Sequence, residues 1–111
     1  MVQDGKISIR YKDVHHDEKV NDAVESHCRM LSREFPETTH FEVALGLEAG
    51  RVSAHAHVSG KNTQLSSQAS AADPRKAAEV ALDKLERELR RHHDKQIFTA
   101  RREAQKGREK R

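Results

Sequence analysis

Apolar and polar residues alternate with a period of two along three stretches of this chain. They recur every three or four residues along two others. In residues 6–11, Ile7, Ile9 and Tyr11 point one way and Lys6, Ser8 and Arg10 the other, the pattern of a half-buried strand. In residues 40–48, Phe41, Val43, Leu45 and Leu47 share a face opposite Glu42, Ala44, Gly46 and Glu48. In residues 51–59, Val52, Ala54, Ala56 and Val58 oppose Ser53, His55, His57 and Ser59. Ala49-Gly50 predicts a tight hairpin between these two strands, and Gly60-Lys61 the next turn. A weaker strand is expected near 62–71, with Leu65, Ala69 and Ala71 as its apolar face.

The helical stripes are equally distinct. Val20, Val24, Cys28, Leu31 and Phe35 recur at helical spacing after Asp17, a residue whose carboxylate can accept from free first-turn amides. Pro36 ends that helix, because a proline pushes the residue before it out of helical geometry. Asp73-Pro74 predicts a second start, with Ala78, Ala81, Leu82, Leu85 and Leu89 as the buried stripe of a helix running to about residue 95. Residues 96–111 lack a repeating apolar face; they could extend the helix or be disordered, and a mostly disordered tail is the expectation. The order is β-α-β-β-β-α. Two single-striped helices covering one face of a four-stranded sheet is the economical α+β arrangement. One domain over 1–95 and a tail over 96–111 complete the expected organisation.

Charge changes this picture by its placement. Charged residues make up 35% of the 111, so the core must be small, and the net charge of +3 is by itself weak. Residues 1–72, however, hold 8 Lys/Arg against 10 Asp/Glu, whereas 73–111 hold 13 against 8. Lys84, Arg87, Arg91 and Lys95 are spaced three, four and four apart, which lines them along one side of the second helix, with Arg90 near the row. Arg29 and Arg33 are spaced by four on the first helix, off its apolar stripe. Side-by-side helices would merge these rows into one basic surface whose cations, about 5–6 Å apart, suit successive RNA phosphates. Glu86, Glu88, Asp83 and Asp94 are interleaved with them, so a solvated face stitched by weak ion pairs accounts for the spacing equally well.

Other chemistries are poorly supplied. His55 and His57 point to one strand face, and His15-His16 and His92-His93 add pairs, but no Cys pair or HExxH helix accompanies them, and no metal site or cofactor is expected. The single cysteine, Cys28, lies on an apolar stripe and reads as core rather than nucleophile. The carboxylates are scattered over helix surfaces, and the Gly-Gly-Gln loop of a peptide-release protein is absent. The expectation is therefore a non-enzyme that takes no small-molecule substrate. No segment has the length of a membrane span or the apolar core of a signal peptide, and a lone cysteine suits a reducing compartment, so a soluble cytoplasmic protein is expected.

Three segments resemble the ribosome hibernation factors, the family of hibernation-promoting factor and ribosome-associated inhibitor A (protein Y). They are KISIRYKDVHHDEKV, HFEVALGLEAGRVSAHAHVSG and above all ALDKLERELRRHHDK. Lys84, Arg87 and Arg91 fall on the family's basic helix positions, and Arg33 and Phe35 also match. The resemblance spans roughly residues 6–95. It implies a fold similar to a double-stranded-RNA-binding domain. It also implies binding to the small ribosomal subunit and its ribosomal RNA at the messenger and transfer RNA channel, silencing idle ribosomes by occupying space, as a monomer when free. The further domain of long family members is not expected here. His27 stands where a lysine is usual, Arg75 where a tyrosine is frequent, and the tail is basic where protein Y's is acidic. A general RNA-binding or protein-interaction module without ribosome specificity is the alternative.

Overall fold

The computed structural model describes residues 6–109, with side chains described through Lys95. The elements are β1 (Lys6–Lys12), α1 (Glu18–Glu34), β2 (Thr38–Glu48), β3 (Arg51–Gly60), β4 (Thr63–Ala71) and α2 (Pro74–Glu109). The four strands form one sheet in the order β1-β2-β3-β4. The connection through α1 makes β1 parallel to β2, whereas the hairpins make the other two pairings antiparallel.

Local chemistry sets the element ends. Asp17 accepts from Lys19 N at 2.8 Å and Asp73 from Lys76 N at 2.8 Å, so each helix begins on a carboxylate that satisfies a first-turn amide. Phe35 N still donates to Leu31 O before Pro36 stops α1. Ala49 and Gly50 both take positive φ, 50° and 78°, the backbone of a two-residue hairpin matched to strand twist. The second turn falls one residue later than expected. Asn62, with φ of 54°, occupies the left-handed position, and Gly60 is the last residue of β3.

α1 packs on β1 and β2, α2 packs chiefly on β3 and β4, and the helices touch each other. The core joins Val24, Cys28, Leu31 and Phe35 of α1 to Phe41, Val43 and Leu45 of β2 and to Leu82, Leu85 and Leu89 of α2. Ile7 and Ile9 pack against it half-buried, because β1 is an edge strand. Under α2 the contact is built from alanines: Ala77, Ala78 and Ala81 on the helix, and Ala54, Ala56, Ala69 and Ala71 on the sheet, all buried. Small residues on both sides let the helix come close, and Ser67 uses that closeness to donate to Ala81 O at 2.6 Å. Leu47 departs from its expected inward placing. It is 51% exposed, in the last residues of β2 before the hairpin, beyond the part of the strand whose inward positions are buried.

The second helix also ends later than expected. Its backbone continues past residue 95 to Glu109, roughly 20 Å of further helix, the extension that the sequence left open beside disorder. The run 96–106 contains no proline or glycine and is rich in Ala, Arg, Gln and Glu, all strong helix formers, so helix propagation needs no apolar stripe. Lys110 and Arg111 of the expected tail, and residues 1–5 of the expected 1–95 domain, lie outside the described residues.

Candidate nucleic-acid interface

The core stripe of α2 turns Leu82, Leu85 and Leu89 inward and leaves the two flanks of the helix different. On the flank toward β4, Lys84, Arg87 and Arg91 line one groove of ≈ 380 Å³ together with Glu88 and with Ser66, Ser67 and Gln68 of the edge strand. Lys84 Nζ donates to Gln68 O at 3.2 Å, and Arg91 lies 3.8 Å from Glu88, an exposed pair that weakly offsets its charge. Arg87 has no ion-pair partner among the described residues, and neither has Lys95, the next cation along the row. The groove thus gathers three of the expected cations on one wall, with a single carboxylate among them.

On the flank toward α1 the charges are consumed internally. Arg90 donates to Glu34 at 2.7 Å and to Glu86 at 3.2 Å. These bonds, Glu34's first, raise the Arg90 pKa still further above its ordinary value. Its guanidinium also lies 5.8 Å from the centre of the Phe35 ring. His27 Nε2 sits 3.7 Å from Glu86. Arg90 is therefore a link between helices, held by two carboxylates and an aromatic face.

This seam corrects the expectation of one merged basic surface. His27 and Glu34 lie on the side of α1 that faces α2, whereas Arg29, two residues from His27, is rotated about 200° from it. Arg29 engages Glu25 one turn earlier on its own helix. Arg33 is exposed in the last turn of α1. The arrangement is a basic groove beside β4, a neutralised seam, and a separate pair of arginines on the outer face of α1. His27 and Arg75, the two residues that depart from the hibernation-factor pattern, line a single notch of ≈ 60 Å³ between the helices, floored by Ala23, Val24, Ala78 and Leu82.

The remaining candidates are placed as follows. His92 Nε2 bonds Asn62 O at 3.0 Å and His93 Nδ1 bonds Glu37 Oε2 at 2.9 Å, tying α2 to the loops at one end of the sheet. His16 stacks on Tyr11, with centroids 4.7 Å apart. His55 is exposed and His57 half-buried on the open sheet face. Among the described residues no three His, Cys, Asp or Glu side chains are placed to hold a metal ion. Cys28 is fully buried, and burial, with a smaller push from the Glu25 charge, raises its thiol pKa to about 12, so almost no thiolate forms near neutrality. No helix, among the described residues, is long and apolar enough to cross a membrane.

Sequence reasoning missed the strand side of the groove. Ser66, Ser67 and Gln68 carry no motif. Their place in the groove follows from β4 being at the sheet edge, next to α2, which only strand order decides.

A family model described as sigma 54 modulation protein / S30EA ribosomal protein matches residues 7–97. Among solved structures, the protein Y N-terminal domain of Thermus thermophilus superposes with a TM-score of 0.69 at 22% identity, covering 79% of this chain and 98% of that one. A ribosomal subunit interface protein from Coxiella burnetii gives 0.68 at 17% identity, covering 80% and 98%. At such identities these two likenesses concern the fold. No curated protein sequence matches the chain significantly.

Proposed function

Because the chain belongs to the sigma 54 modulation protein / S30EA ribosomal protein family, we propose that it is a ribosome-associated inhibitor of translation. In this reading it binds the small subunit through ribosomal RNA, occupies the messenger and transfer RNA channel, and silences or protects idle ribosomes. It works by filling space and needs neither catalysis nor a cofactor. The observation that carries the RNA part is the convergence of Lys84, Arg87 and Arg91 on one groove wall, with Arg87 unpaired among the described residues. Cations already committed to carboxylates would release little on meeting phosphate; uncommitted ones exchange water and displaced counterions for a phosphate contact. Lys95 extends the row, Arg29 and Arg33 form a second patch, and the six Lys/Arg against two Glu in residues 96–111 add electrostatic attraction.

The test is the triple variant Lys84→Ala, Arg87→Ala, Arg91→Ala. Each phosphate contact contributes a slope of roughly −0.7 to −0.9 in a log–log plot of affinity against salt. The variant should flatten that slope by about two to three units and lose most inhibition in cell-free translation. Its stability should change by less than about 0.5 kcal/mol, since the positions are exposed and Ala favours helix. A folded triple variant that binds small subunits and blocks translation as well as the parent would exclude the basic-groove mechanism.

A further inference from the structure

The groove has two unlike walls, and the strand wall constrains what fits. β4 is an outer strand, so one row of its backbone groups faces away from β3. Gln68 O receives Lys84 Nζ, which places that carbonyl in the outward row. In an antiparallel ladder a residue's N–H and C=O point to the same side, and the β3–β4 register runs unbroken from Thr63 to Ala71. Ser66 and Gln68 therefore both present outward backbone groups, about 6.6 Å apart, beside hydroxyl and amide side chains that donate and accept. Ser67 between them turns inward, and its bond to Ala81 O fixes the distance between strand and helix.

We infer that this groove receives a single ribose-phosphate strand of RNA, its phosphates on the Lys84, Arg87 and Arg91 wall and its ribose 2′-hydroxyls on the β4 edge at Ser66 and Gln68. The inference rests on the RNA-binding reading above and adds which part of the nucleic acid is recognised. Phosphate needs donors and positive charge, which the helix wall supplies. A 2′-hydroxyl both donates and accepts, as do the groups on the strand wall, and it is absent from DNA. No aromatic residue lines the groove, so bases find no stacking platform and binding is independent of sequence. An acidic peptide is the other polyanion the cations would attract. Its addition as a fifth strand needs the outward N–H and C=O of Gln68 together, and Lys84 already holds that carbonyl, whereas a 2′-hydroxyl can use the Gln68 N–H or its side-chain amide instead. Glu88 is the one lining carboxylate and opposes any phosphate beside it.

The experiment measures binding of the full chain to a short uridine oligoribonucleotide, its 2′-deoxy counterpart and an oligoglutamate, by fluorescence anisotropy at low salt. The parent should prefer RNA over DNA by roughly three- to tenfold, the worth of about one net hydrogen bond. Ser66→Ala with Gln68→Ala should narrow that ratio. Glu88→Gln should raise affinity for both nucleic acids roughly two- to fivefold by removing an exposed like charge, and Gln68→Glu should lower it similarly. Thermal melts confirm that each variant is folded. Equal affinity for RNA and DNA, an unchanged ratio in the Ser66/Gln68 variant, tighter binding of oligoglutamate than of RNA, or indifference to both charge changes would each overturn the inference. Ribosome co-sedimentation separates the two levels. If the Lys84/Arg87/Arg91 variant loses ribosomes while Glu88→Gln and Gln68→Glu bind them like the parent, the ribosome reading stands and the groove assignment falls.

Discussion

Gly60 should tolerate no side chain, although its position in β3 is ordinary extended backbone. It pairs with Thr38 at the start of β2, where the register shifts before His40. A Cβ at Gly60 would lie 2.0 Å from Glu37 O, 2.8 Å from Thr38 Cα and 2.9 Å from Glu37 C. All three are backbone atoms, so no rotamer change relieves the clash. The chain must part there, loosening the Lys61 N–Glu37 O bond of 3.0 Å and moving Glu37, which holds His93 on α2. Overpacking costs about 1–3 kcal/mol and one hydrogen bond about 1 kcal/mol. Gly60→Ala should therefore cost about 2–4 kcal/mol, against a typical total of roughly 5–15 kcal/mol. At ~4–8 °C per kcal/mol for a domain of this size, Tm falls by at least about 8 °C. Urea and thermal unfolding measure both, with Gly46→Ala as the control. A Cβ there meets Ser53 Oγ at 3.7 Å and Lys12 O at 3.8 Å, ordinary contacts. That variant should be neutral or gain up to about 0.5 kcal/mol, since glycine weakens a strand interior. Gly60→Ala within about 0.5 kcal/mol of the parent would refute the close-approach argument.

Arg90→Ala should flatten the salt dependence of RNA binding by less than Arg87→Ala does, because Arg90 is committed to Glu34 and Glu86 whereas Arg87 is not; equal slopes in the two variants would contradict the seam. Cys28 should react with a thiol reagent at pH 8 only after unfolding, since its thiol is fully buried and its pKa is pushed up to about 12. The same shift predicts alkaline destabilisation: above pH 9 the unfolded thiol loses a proton that the folded one keeps until about 12, so stability falls through that window. Cys28→Ala should remove that component, and an unchanged pH slope in that variant would count against it. Truncation after Lys95 should leave the melting temperature nearly intact, because the core ends at Leu89 and the last described ties of α2 to the sheet loops are at His92 and His93. The truncated chain should bind RNA more weakly at low salt; a collapsed fold would show that residues 96–109 belong to the body.

Periodicity alone determined the six elements and nearly all of the core. Two-residue alternation and helical recurrence are properties of consecutive residues, and they agreed on one interface holding Val24, Leu31, Phe41, Val43, Val58, Leu82, Leu85 and Leu89. The helix starts at Asp17 and Asp73 were legible for the same reason, since a capping carboxylate acts within three residues. The far end of α2 stayed open between helix and disorder in the sequence, because residues 96–109 carry good helix formers but no repeating apolar face to anchor them. The basic row at Lys84, Arg87 and Arg91 was visible in the spacing, but whether its members were free or paired was not. Arg90 looks like Arg87 in the sequence; only the docking of α1 beside α2 brings Glu34, 56 residues away, to neutralise one and leave the other. The same packing turns Arg29 and Arg33 outward and puts β4 at the edge, so that Ser66 and Gln68 line the groove although no motif announced them. Charge pairing and edge exposure depend on distances between elements remote in the chain, and those are set by how the alanine-lined face of α2 and the α1 stripe settle on the sheet.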